Sequence, residues 1–302
     1  MLKIIALLLC SLNLYAQSML SFKNLSYDKI NGRFEGKLAL DVFRPMTGDN
    51  LPVVVFVHGG GWTEGDKSTA SHIAKRDYFI NHGFIFVSIN YRLAPANFFP
   101  VYAQDVAQAY SYVMNWIGKF GGDNQKVFLM GHSAGAHLAA LIAADNRYLN
   151  QFGYDNSYIN GVILLDGAGY DIPELIADNT ENNNQTGLDM YHQAFGYEIG
   201  TWIEASPITY MVEGHTVPPY QLFYVNSRRL GNIMSNRMYD AMHAKGLPAE
   251  IIPVYNTTHD QINKNFGKDN DLVAPQALAF IEDILEQQLQ LKYKHTNLHN
   301  DF

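Results

Sequence analysis

The chain has 302 residues, of which 47% are hydrophobic and 17% charged, and its formal net charge is -8. This is enough apolar material for a sizeable core and too little charge for a disordered chain, and the length fits one large α/β domain or two small ones. The acidic balance, with no basic face, excludes nucleic acid as an expected partner, and the single cysteine, Cys10, leaves a mature chain without disulfides, a cysteine nucleophile or thiolate metal ligands.

The first sixteen residues read as a secretory signal. Lys3 gives a positive start, residues 4–9 are continuously apolar, and Leu14-Tyr15-Ala16 precedes Gln17 at the expected cut. The apolar run is too short to span a bilayer, so no transmembrane segment is expected in the mature chain. A single folded domain is expected over residues 17–291, followed by a polar, frayed tail over 292–302 that carries His295 and His299.

Alternation over residues 38–43 suits an early antiparallel strand. Short runs rich in β-branched and aromatic residues follow at 53–57, 84–89, 127–130, 162–165, 222–225 and 251–254. They suit strands buried on both faces of a mostly parallel sheet. Helical patterns lie between them at 68–81, 102–117, 134–145, 233–245 and 271–289. Strand–helix alternation predicts an open α/β sheet with helices on both faces. The polar, asparagine-rich run over 178–186 reads as a solvated loop. The aromatic stretch after it reads as a short lid-like insertion after strand six, with Tyr191, Phe195 and Trp202 as candidate cleft residues.

Two segments carry chemistry. His58-Gly59-Gly60-Gly61-Trp62 ends an apolar run, and its glycines can turn N–H groups toward an anion. Gly60 and Gly61 are therefore candidate oxyanion donors. His58 is read as a loop anchor, and Trp62 as packing against the loop or lining the acyl site. Gly131-His132-Ser133-Ala134-Gly135 sits between a strand pattern and an alanine-rich helix. This places the Ser133 hydroxyl on a sharp turn, with the Ala134 N–H beside it at a helix N-terminus.

A serine hydroxyl is a weak nucleophile and needs a base. Among 11 histidines, His259 alone ends a late strand, where the serine–acid–histidine order of this motif puts the base. His132 and His137 flank Ser133 too rigidly for that task.

HGGGW at 58–62, NYRLAP at 90–95 and GHSAG at 131–135, with Phe99-Pro100, Asp105 and Gly121-Gly122-Asp123, resemble the hormone-sensitive-lipase-like and bacterial feruloyl-esterase-like branch of the α/β-hydrolases. The resemblance spans roughly residues 35–285. It implies an α/β-hydrolase fold and hydrolysis of small-molecule or polysaccharide-linked carboxylic esters, with no metal or organic cofactor. Ser133 would be the nucleophile, His259 the base, and Gly60, Gly61 and Ala134 the oxyanion hole. Arg92 and Asp105 fall on family positions and are expected to be structural.

The acid departs from the pattern. The family places an aspartate after the seventh strand, but here Asn226-Ser227-Arg228-Arg229 follows, and no carboxylate comes before Asp240. Asp166, ending the run at 162–165, is the substitute, because the acid's task depends on geometry rather than chain position. Asp171 and Asn226 are the alternatives, and Asp260 adjoins His259 but should diverge from it. An amidase-type relative such as an arylformamidase would share these motifs. The acid missing from its usual place leaves room for an inert binding protein of the same fold.

Overall fold

The computed structural model describes residues 19–28 and 38–300. The expected leader, residues 1–16, lies outside the described residues. Eight strands form one sheet in the order β1-β2-β4-β3-β5-β6-β7-β8. They are β1 (Met19–Ser26), β2 (Ala39–Pro45), β3 (Leu51–Val57), β4 (Ile85–Ile89), β5 (Gly122–His132), β6 (Val162–Leu165), β7 (Tyr220–Val225) and β8 (Ala249–Val254). β1 and β2 pair antiparallel with their neighbours, and every pairing from β4 through β8 is parallel.

The central strands are apolar without interruption because both of their faces are covered. Val53, Val55 and Val57 of β3 face one core, and Val54 and Phe56 face the other. β5 divides in the same way, with Val127 and Leu129 on one side and Phe128 and Met130 on the other. Each such aliphatic side chain gains about 1.5–3 kcal/mol on full burial. One face carries helices α2 (Val101–Trp116), α3 (Ala134–Ala144) and α8 (Arg229–His243), and the other carries α1 (Ile73–Asn81), α9 (His259–Lys264) and α10 (Val273–Asn300). The short α4 (Arg147–Asn150) follows α3. Among the described residues no helix is long and apolar enough to cross a membrane.

Three expectations change. The asparagine run is not a loop throughout: Asp178 to Glu181 complete helix α5 (Ile172–Glu181), and Gln185 opens helix α6 (Gln185–Phe195). The asparagines act as local hydrogen-bonding devices rather than solvated filler. Asn179 is buried and donates to the Leu175 carbonyl, and the Asn184 carbonyl oxygen caps α6 by accepting from the Gly187 N–H. A third helix, α7 (Ile199–Glu204), completes the insertion between β6 and β7. The last helix does not stop near residue 289 but continues through Asn300 in place of the frayed tail. β1 was not anticipated at all, because this edge strand is mostly solvent-exposed and shows no apolar face.

Arg92 and Asp105 have the structural duty expected of them. The Arg92 guanidinium donates from Nε and Nη2 to the two oxygens of the buried Asp105 carboxylate, and the Arg92 N–H adds a third bond. That clamp ties the loop after β4 to the N-terminal half of α2.

Candidate active site

Parallel pairing brings the C-terminal ends of β5, β6 and β8 to one edge of the sheet, where side chains from distant parts of the chain can meet. Ser133 follows β5 directly, and its N–H extends the ladder to the Leu165 carbonyl. Asp166 follows β6 directly, and its N–H does the same to the Phe223 carbonyl. Both residues hold positive φ, 56° at Ser133 and 46° at Asp166, which non-glycine residues adopt only when their surroundings demand it. At Ser133 the demand comes from the strand-to-helix turn. It packs so tightly on β3 that a Cβ on Gly135 would stand 2.2 Å from the Val57 carbonyl oxygen.

His259 reaches the same edge from the start of α9, a helix capped by the Thr258 hydroxyl. Its ring lies between the other two side chains. His259 Nε2 is 2.9 Å from Ser133 Oγ, and His259 Nδ1 is 2.6 Å from Asp166 Oδ2. Asp166 is fully buried, and its other oxygen accepts the Val225 N–H at 2.9 Å. The carboxylate thus fixes the imidazole with its proton on Nδ1 and its lone pair toward the serine.

His259 is also held from behind. His132 Nε2 donates to the His259 carbonyl at 2.9 Å, and the two rings lie 4.6 Å apart. Burial, helped by the neighbouring His259, holds His132 well below the ordinary histidine range, so it acts as a neutral donor. At the other end of α9, the buried Lys75 ammonium donates to both the backbone and side-chain oxygens of Asn263, 2.9 Å each. Burial pushes Lys75 down to about 7.

Ser133 opens onto a cleft of about 350 Å3. Gly60, Gly61 and Ala134 line it, and the Gly60 and Gly61 amides donate no hydrogen bond among the described residues. Ala134 is the first residue of α3, so its N–H lacks an intrahelical partner. Three residues with uncommitted amides therefore line the same cleft as Ser133. His58 anchors their loop: its Nδ1 donates to the Gly59 carbonyl at 2.7 Å, and its ring stacks on Tyr91.

Of the four candidate cleft residues, Trp62 and Tyr191 line the wall, and Met190 joins them unforeseen. Phe195 does not reach the cleft. It is buried behind Trp62, ring centroids 4.9 Å apart, where it also packs on Phe99, Tyr102 and His137. Trp202 is also absent from the wall; its indole N–H donates to the Gly196 carbonyl and its ring stacks on His192. The alternative acids stay away from the base. Asp171 caps α5 and pairs with Arg237, Asn226 is exposed, and Asp260 turns to Lys264. Arg228, which the sequence reading passed over, lines the cleft and pairs with Asp166.

The BD-FAE family model matches residues 40–226, more than half of the chain. The chain belongs to the BD-FAE family. Among curated relatives, the isoprenylcysteine alpha-carbonyl methylesterase ICME of Arabidopsis thaliana is 31% identical over 244 residues, 74% of this chain and 54% of that protein. The carboxylesterase NlhH of Mycobacterium tuberculosis (strain H37Rv) is 38% identical over 99 residues, 33% of this chain and 31% of that protein. This BD-FAE chain thus spans about half the length of the first relative and less of the second. Among solved structures, esterase B from Lactobacillus rhamnosis superposes with TM-score 0.74 at 18% identity, covering 91% of this chain and 90% of that one. The esterase of Pyrobaculum calidifontis superposes with TM-score 0.69 at 22% identity, covering 90% and 86%. At such identities the likeness establishes the α/β-hydrolase fold.

A buried histidine behind the cleft wall makes stability depend on pH. His137 Nδ1 accepts the Trp62 indole N–H at 3.1 Å, and its Nε2 donates to the Ala205 carbonyl at 2.7 Å. Both nitrogens are committed to the neutral ring, and burial pushes it down to about 4. The unfolded chain takes up a proton near pH 6.5 that the native ring refuses. Stability is therefore lost as pH falls from about 6.5 to about 4, by about 3 kcal/mol from this group. Urea unfolding at pH 7 and pH 4 should show His137→Gln with a smaller stability difference between the two pH values than the parent. An unchanged difference would contradict the assignment.

Proposed function

We propose that the chain is a serine hydrolase that cleaves carboxylic esters through an acyl-enzyme. The observation that carries this reading is the unbroken run from Ser133 Oγ through His259 to Asp166, at 2.9 Å and 2.6 Å. His259 takes the Ser133 proton as the hydroxyl attacks the ester carbonyl. Asp166 orients the ring and balances the charge it acquires. The N–H groups of Gly60, Gly61 and Ala134 receive the developing oxyanion, each such donor being worth about 10²–10³ in rate. The alcohol leaves with the proton from His259, and water then releases the acid by the same steps in reverse order. The cleft of about 350 Å3 suits small to medium acyl groups. Two relatives named as a methylesterase and a carboxylesterase support the same class of bond. The inert-protein alternative rested on a missing acid, and the contact between Asp166 and His259 supports the catalytic reading over it.

With p-nitrophenyl acetate as substrate, Ser133→Ala should lose about 10⁴-fold or more in kcat, and Asp166→Asn about 10⁴-fold. Asn226→Ala should stay near the parent rate. Full activity in Ser133→Ala, or the loss appearing in Asn226→Ala instead of Asp166→Asn, would refute this assignment. Esters and formanilides assayed side by side separate an esterase from an arylformamidase.

We also propose that the protein is exported, on the evidence of Lys3, the apolar run over residues 4–9 and Ala16 before Gln17. N-terminal sequencing of protein recovered outside the cytoplasm should begin near Gln17. A sequence beginning at Met1 would contradict export by cleavage.

A further inference from the structure

Asp166 presents an electrostatic problem that the three reacting side chains do not solve by themselves. It is fully buried, and a carboxylate taken out of water needs an opposite charge close by. Its neighbour His259 cannot supply that charge at rest. To accept the Ser133 proton the ring must be neutral, giving Asp166 a hydrogen bond but no cation. Among the described residues Asp166 has one other ion-pair partner. Arg228 Nη1 lies 3.3 Å from Asp166 Oδ2 and 3.2 Å from its backbone carbonyl oxygen.

The surroundings are shaped for this contact. Arg228 stands in the loop after β7, where the family pattern would have the acid itself, and its N–H is tied to the Val225 carbonyl at 2.9 Å. The same Val225 donates to Asp166 Oδ1. The first turn of α8 passes over the pair at Gly231. A Cβ there would stand 2.5 Å from Asp166 Oδ1 and 2.8 Å from Arg228 Nη1, so any larger residue would have to displace one of them. The Arg228 side chain is 29% exposed and its guanidinium borders the cleft, so it is a permanent charge that remains partly hydrated.

We infer that Arg228 is a positioning residue for the reaction, the counter-charge that holds the buried acid aimed at the base. This rests on the serine-hydrolase reading above. Without the cation, the buried carboxylate keeps only the Val225 N–H and the His259 ring as partners, and nothing on its third side holds it in line with the base. Arg228 therefore protects the contact between carboxylate and imidazole, with the carboxylate supplied from the end of β6 and the cation from the loop after β7.

The test uses the full chain and p-nitrophenyl acetate, with kcat, KM and thermal midpoint measured for the parent, Arg228→Gln, Arg228→Lys, Asp166→Asn, the double variant Asp166→Asn/Arg228→Gln, and Ser133→Ala. Arg228→Gln should lose roughly ten- to a hundredfold in kcat with KM unchanged, as expected for a half-hydrated partner of a buried charge. Arg228→Lys should recover most of that loss. In the double variant the two losses should not multiply, because Asp166→Asn leaves no carboxylate for Arg228 to serve. Parent-like kcat in Arg228→Gln overturns the inference, as does a rise in KM at constant kcat or multiplying losses. If Arg228→Gln fails to fold, Arg228→Lys decides: kcat within about tenfold of the parent supports the inference, and a loss as large as that of Asp166→Asn overturns it. Full activity in Ser133→Ala would instead defeat the reading of the site. An inactive Ser133→Ala beside a fully active Arg228→Gln defeats the Arg228 assignment alone.

Discussion

The carboxylate of Asp166 binds the site together. It has no exposure to water, and its oxygens face a backbone N–H, an imidazole N–H and a guanidinium. The partners come from the end of β7, the start of α9 and the loop before α8, so one small anion fixes three separate returns of the chain. Its own backbone is held at positive φ to make this possible, a cost that the packed end of β6 absorbs. Move this group, and His259 loses the bond that orients its ring toward Ser133.

The sheet makes that convergence possible. Parallel strands end at the same edge, and each crossover helix returns the chain to begin the next strand. Ser133 and Asp166 each sit one residue beyond a strand and continue its ladder through their own N–H groups. The reacting atoms therefore inherit the rigidity of a core buried on both faces. The base sits on a short helix and needs separate restraint, which His132 provides at its first carbonyl and Lys75 at Asn263. The amides of the Gly60–Gly61 loop rest on His58, itself stacked on Tyr91.

Much of this was legible in the sequence because the strongest signals are local. An apolar run flanked by glycines marks a buried strand, and a strand–GxSxG–helix pattern marks Ser133. Chain order then singles out His259. Asp166 required reasoning from absence: the usual acid position holds Asn226, Ser227 and Arg228, so the carboxylate had to come from elsewhere. The sequence did not reveal what depends on tertiary partners. β1 faces solvent and shows no alternating apolar face. The helices of the insertion were hidden by asparagines whose side chains cap and bridge within it. Phe195 and Trp202 were placed at the cleft on chain position alone, and their packing, on Trp62, Phe99 and Tyr102 for the one and on His192 for the other, decides otherwise. Arg228 was visible in the very loop searched for an acid, but as a cation it answered a question not yet asked.

The most direct measurement is a crystal structure of the chain after reaction with a short-chain phosphonate ester, which mimics the tetrahedral species of ester hydrolysis. The account predicts phosphorus bonded to Ser133 Oγ, His259 still hydrogen-bonded to Asp166, and the phosphonyl oxygen about 3 Å from the N–H groups of Gly60, Gly61 or Ala134. Phosphorus on another residue, or an imidazole turned from Asp166 toward a different carboxylate, would contradict it.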